Sequence, residues 1–132
     1  MDYINSGESN PSDVISKYTD NGVDVAFEVA GVAPTLKSAI DVTKARGIVV
    51  IVSIFGHPIE WNPMQLTNTG VKLTSTIAYT PTTFQQTIDL INEGNLKVKD
   101  VVTDEIELND IVESGFEQLV NDKSQAKILV KL

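Results

Sequence analysis

The only histidine, His57, stands in Gly56-His57-Pro58, and the chain has no cysteine to pair with it. That removes thiol catalysis, disulfides and thiolate zinc sites at once. An imidazole metal site would need two or three further ligands at compatible spacing. Glu60 by itself does not supply them, so His57 reads as a residue of a surface turn. Ser53 follows an apolar stretch but lacks the G-x-S-x-G turn that exposes a nucleophile. It reads as a small residue at a crowded strand end. The carboxylates Asp100, Asp104, Glu105, Glu107, Asp110 and Glu113 form an acidic run, and such runs are usually solvated faces. No catalytic and no metal-ligating residue is assigned within this chain.

Binding chemistry has a stronger signal. Val23 to Gly31, VDVAFEVAG, is an apolar run that ends in small residues. Parallel strands covered on both faces lose their alternation and become such runs, and ligands gather at their carboxyl ends. Gly47 to Gly56, GIVVIVSIFG, is a second run of the same kind. Between them, Pro34 opens a helix with Leu36, Ala39, Ile40 and Thr43 at i, i+3, i+4 and i+7, and Gly47 is expected to close it. Strand, helix and strand make a βαβ unit, which favours a right-handed crossover and a parallel sheet.

The flanking elements follow from the same rules. Asn10-Pro11-Ser12-Asp13 starts a first helix with Val14, Ile15 and Tyr18 on its apolar face, stopped by Asn21-Gly22. Pro58 to Gly70 reads as a loop with a short helix, and Val71 to Ala78 as a third strand. From Pro81, Phe84, Thr87, Ile88 and Ile91 mark a helix ended by Gly94, followed by a short strand from Asp104 to Leu108. Asp110 and Glu113 have capping-box spacing ahead of Val112, Phe116, Leu119 and Val120, and Ala126 to Leu132 closes the chain as a strand. The expected class is α/β, with an internal boundary at Thr80-Pro81 that separates residues 1–80 from 81–132.

At 132 residues the chain can bury roughly two thirds of its unfolded surface and hold a core without staples. The net charge of −8 opposes the basic footprint on which phosphate binding rests, so no nucleic-acid partner is expected. No apolar run approaches the ~20 residues of a membrane span, and the first residues, MDYINSGESN, lack the regions of a signal peptide. A soluble, cytoplasmic protein is expected.

A free-standing dinucleotide-binding domain needs a glycine-rich turn after its first strand, and no G-x-G-x-x-G occurs here. Only half of such a sheet can be present. The segments FEVAGVAPTLKSAI, RGIVVIVSIFGHPIEWNP, LTSTIAYTP, DLINEG and KILV resemble the zinc-type medium-chain dehydrogenases, in the branch of 2,3-butanediol and sorbitol dehydrogenases. The resemblance runs collinearly over essentially the whole chain and matches the C-terminal part of such enzymes. It implies a fragment: residues 1–80 as the second half of an NAD-binding Rossmann domain, and residues 81–132 as an α/β segment returning toward an absent GroES-like catalytic domain.

Carried over residue by residue, the resemblance places Val29, Ala30 and Gly31, then Val52, Ser53 and Ile54, then Thr76, Ile77 and Ala78 beside the nicotinamide end of the cofactor, in a positioning role. Relatives often have glycine where Ser53 stands, and a basic residue toward the pyrophosphate near Lys127. The implied cofactor is NAD, with NADP as the alternative, and zinc belongs to the parent enzyme with no ligand in this chain. The implied reaction is hydride transfer from a small secondary alcohol or vicinal diol, with the fragment itself inactive. The resemblance also makes Val71 to Ala78 an edge strand that pairs with its twin in a homo-oligomer. Two other classes compete with this reading. One is a phospho-receiver, for which Glu28 lacks acidic company, and the other is a noncatalytic α/β binding or oligomerisation module.

Overall fold

The apolar run after Gly22 folds as strand β1, Val23–Glu28, and ends at Glu28, short of Gly31. The chain is described by a computed structural model over residues 3–132; Met1 and Asp2, part of the N-terminal stretch read above, lie outside the described residues. It divides into two compact units, one reaching to Ala78 and the other Tyr79–Leu132.

In the first unit, helix α1, Pro11–Ile15, starts as its sequence dictates: the Asn10 side chain accepts from the Ser12 amide and proline occupies the first turn. The helix stops at Ile15, so Tyr18 does not extend its apolar face and is 72% exposed. Helix α2, Ala33–Val42, buries Leu36, Ala39 and Ile40, the face expected from their spacing. Its end is a correction, because Gly47 does not close it. Strand β2, Thr43–Ile51, begins directly, with Thr43 paired to Val23 and its hydroxyl donating back to the Ala39 carbonyl at 2.6 Å. A β-branched residue with a strand partner there wins over one more helical turn. The register then shifts between Val23 and Val25, and Arg46 takes a φ of 65°.

Helix α3, Met64–Thr69, is the short helix expected in the Pro58 to Gly70 loop, and strand β3 is confined to Lys72–Ser75. The sheet has the order β1-β2-β3 and both pairs are parallel. Its register aligns Glu28 with Ile51 and Ile51 with Ser75. The carboxyl ends of all three strands therefore lie in one row.

The core of this unit is α2 packed on the sheet: Leu36, Ala39 and Ile40 meet Val49 and Val71, with Ala26, Ile51, Phe55, Ile59, Leu66 and Leu73 partly buried against them. The continuous apolar run had implied cover on both faces. The structure corrects this, since Val25, Phe27 and Ile48 remain exposed, Phe27 by 66%.

The second unit opens with helix α4, Pro81–Asn92, whose N-terminus is capped by the Thr80 hydroxyl accepting from the Thr83 amide at 3.1 Å. Strands β4, Asp104–Glu107, and β5, Ile128–Lys131, pair in parallel. Between them runs a 3-10 turn, Leu108–Asp110, then a π-helix, Ile111–Glu117, then α5, Gln118–Asn121. The expected capping box is absent, because Asp110 has a φ of −96° and makes no side-chain cap bond. The wide π turn places buried Gly115 against Ile106 of β4, whereas Val112, Phe116, Leu119 and Val120 stay exposed.

Candidate functional site

Strand β1 carries its glutamate to the last core-facing position, where Glu28 is only 2% exposed. A buried carboxylate is tolerable only when its lone pairs are filled, and here the turns beyond β1 and β2 and the first turn of α2 fill them. Oε1 accepts from the Ala30 amide at 3.0 Å, the Gly31 amide at 2.9 Å and the Thr35 hydroxyl at 2.6 Å. Oε2 accepts from the Ser53 hydroxyl. Burial by itself raises the Glu28 carboxyl, but the bonds from Ser53, Thr35, Gly31 and Ala30 outweigh it and hold the group below the ordinary glutamate value.

The backbone reinforces this join. The Val52 and Ser53 amides donate to the Glu28 carbonyl at 2.9 and 3.3 Å, and the Thr76 amide donates to that of Ile51 at 3.0 Å. Gly31 has a φ of 75°, and a Cβ there would stand 2.6 Å from the Ile54 carbonyl oxygen. Glycine is needed twice over, for the left-handed backbone and for the approach of the two turns.

The residues singled out from the sequence meet at this end of the sheet. Val29, Ala30 and Gly31 follow β1, Val52, Ser53 and Ile54 follow β2, and Thr76, Ile77 and Ala78 follow β3. Gly31 is buried and Ser53 half-buried, while the others are exposed, Ile54 by 93% and Ile77 by 94%. Ala78 takes a φ of 51°, a strained value for a residue with a Cβ. Ala30, Gly31, Ile54, His57 and Ile59 line an open cavity of about 440 Å³. A larger groove of about 830 Å³, between the Ser6 to Asn10 loop and α2, contains the pair Lys37–Asp41 but no cluster of catalytic type.

The other candidates make no bond to Glu28. His57 is exposed on its turn. The acidic run sits in the second unit, with Glu105 bridged to Lys131 at 3.0 Å. Lys127 is exposed just before β5, and its carbonyl accepts from the Thr103 amide at 2.8 Å. Among the described residues no three His, Cys, Asp or Glu side chains could hold a metal ion together. Zinc thus has no fitting site among the described residues.

Glu28 is the residue that sequence reasoning undervalued, having weighed it only against the acidic pattern of a phospho-receiver. The available signal was a glutamate late in an apolar run, three residues before a glycine.

Comparison with known proteins places this geometry. Residues 1–93 match the zinc-binding dehydrogenase family. This chain belongs to that family. Over 117 residues the zinc-binding dehydrogenase chain is 39% identical to (R,R)-butanediol dehydrogenase of Bacillus subtilis (strain 168), covering 89% of this chain and 34% of that enzyme. The crystal structure of 2R,3R-butanediol dehydrogenase from Bacillus subtilis superposes with a TM-score of 0.83 at 38% identity, over 92% of this chain and 35% of the other. A zinc-binding dehydrogenase of Sinorhizobium meliloti 1021, solved with NADP bound, superposes with a TM-score of 0.70 at 26% identity, over 85% of this chain and 32% of the other. The zinc-binding dehydrogenase chain spans about a third of the length of these relatives. Its fold is the α/β, Rossmann-type arrangement expected from the sequence.

Proposed function

We propose that this chain is the nicotinamide-facing part of an NAD-dependent, zinc-type dehydrogenase that oxidises a small secondary alcohol or vicinal diol of the 2,3-butanediol and acetoin kind. The observation that carries the reading is the row Glu28–Ile51–Ser75, which sets the three following turns side by side at the carboxyl end of a parallel sheet. The butanediol dehydrogenase names of the relatives support the substrate class. The NADP-bound relative supports a nicotinamide cofactor, and the choice of NAD is part of the proposal.

The donor set suits the uncharged end of such a cofactor. The Ala30 and Gly31 amides are already turned inward to Glu28, so this loop offers carbonyl oxygens and apolar side chains rather than a phosphate cradle. A nicotinamide group, when bound, supplies the acceptor for a hydride. The residues of this chain position it: Val29, Ala30 and Gly31, then Val52, Ser53 and Ile54, then Thr76, Ile77 and Ala78 form the wall it meets. Residues 81–132 would return toward a catalytic domain outside this chain, and zinc with the proton relay would lie there too.

The same reading makes this chain catalytically silent by itself and cytoplasmic. It also makes β3, which lies at one edge of its sheet, the strand that pairs with a second copy. A strictly monomeric mass by light scattering at micromolar concentrations would refute that pairing. The deciding experiment is titration of the isotope-labelled chain with NADH, followed by NMR. Amide shifts confined to residues 29–31, 52–54 and 76–78 are expected, together with no reduction of acetoin or diacetyl above blank. Shifts elsewhere only, or none, would refute the cofactor reading, and turnover would refute the silence.

A further inference from the structure

Three stretches of chain converge on one side chain. The turn after β1, the first turn of α2 and the turn after β2 all donate to Glu28, and among the described residues no cation is bonded to it. A glutamate in a core position is poorly hydrated, and only filled lone pairs make it tolerable there. The donors fall into two sets. Oε1 holds Ala30, Gly31 and Thr35, all on the β1 side, and Oε2 holds Ser53 on the β2 side.

We propose that Glu28 is a positioning residue: its carboxylate clamps the turn after β1 to the turn after β2, and so fixes where the backbone at Ala30–Gly31 and at Ser53–Ile54 meets a ligand. The identity of that ligand rests on the nicotinamide reading, but the clamp does not. By consuming the Ala30 and Gly31 amides, Glu28 also withdraws the donors that this loop would otherwise turn toward an anion. Ser53 acquires a defined task. Its hydroxyl is the one side-chain tie from the second turn, and alanine there cuts that tie while leaving the backbone bonds from Val52 and Ser53 to the Glu28 carbonyl in place.

The division between the oxygens makes the clamp testable. In E28Q the amide oxygen can keep the three β1-side donors, and the amide nitrogen can donate to the Ser53 hydroxyl, which also accepts. In E28L every partner is orphaned at nearly constant volume. Amide hydrogen exchange, followed by NMR on the 132-residue chain, reads the clamp directly, and NADH titration of each variant reads its effect on a ligand.

Ala30 and Gly31 should lose ~10-fold or more of their protection in E28L, since each orphaned buried donor costs about one hydrogen bond or more. Their protection in E28Q should stay within about 3-fold of the parent, and in E28L it should fall by more than that of Val49 in the core. S53A should keep the Ala30 and Gly31 protection yet loosen residues 53–54 in backbone relaxation, with weaker NADH-induced shifts. Unaltered exchange at Ala30 and Gly31 in a folded E28L chain would overturn the clamp. If E28L does not fold, S53A decides, and unaltered relaxation at residues 53–54 overturns it. The predicted exchange pattern without any NADH shift in the parent chain would leave the clamp standing and remove the nicotinamide reading alone.

Discussion

Replacing Gly31 by alanine tests the close approach that brings the two turns together. Two costs add. The backbone φ of 75° is left-handed, worth ~1–2 kcal/mol for a residue with a Cβ. The new Cβ would also stand 2.6 Å from the Ile54 carbonyl oxygen, so the second turn must retreat, at about 1–3 kcal/mol for overpacking of this kind. Against these stands a gain of about 0.4–1 kcal/mol from the stiffer unfolded chain. The net expectation is a loss of ~1–5 kcal/mol, about 3 at the middle of those terms. Gly70 is the control, because its φ of 67° is similar while its Cβ would meet only the Arg46 Cγ at 3.5 Å. G70A should therefore lose about 1 kcal/mol, the backbone cost without the clash. The chain has one tryptophan, Trp61, and it lies in the first unit. Urea unfolding followed by its fluorescence thus reads that unit. Equal shifts of the midpoint for G31A and G70A would refute the close approach of Gly31 to Ile54, and with it the geometry assigned to the site.

Two further outcomes follow from the same packing. Ile40 is 2% exposed against Val49 and Val71, so I40A should cost about 2–5 kcal/mol in the Trp61 transition, and a loss below about 1 kcal/mol would mean that α2 does not seat there. Acidification should weaken the first unit through Glu28. Its folded-state pKa is lowered, so the folded form binds a proton less readily than the unfolded form. The stability it contributes is present above the ordinary glutamate value of about 4.3 and is lost as pH falls through the lower folded value. The urea midpoint of the parent should fall more steeply than that of E28Q in this acid range, and parallel slopes would show that Glu28 is not the group responsible.

Much of the architecture was legible because it is local. Leu36, Ala39 and Ile40 announced the buried face of α2 by helical spacing, and Asn10 marks a helix start because capping is decided within three residues. Element ends were less legible. Gly47 looked like a helix stop, yet Thr43 pairs with Val23 across the sheet, a partner that no local window contains. The box suggested by Asp110 and Glu113 gave way to a π-helix that sets Gly115 against Ile106 of β4. Of the candidate site, the small residues after β1 and β2 were visible as strand ends, and Glu28 was visible only as an oddity.

The sequence by itself determined the α/β class, the succession of strands and helices, the absence of thiol chemistry and the family resemblance, because composition, period and collinear segments are properties of the chain. Only the tertiary structure decided that Glu28, Ile51 and Ser75 share a row, that Phe27 stays exposed, and that Ser53 reaches Glu28 from a sequence separation of 25 residues. Register and the filling of buried lone pairs depend on partners distant in sequence, and strand pairing is what brings those partners within hydrogen-bond distance.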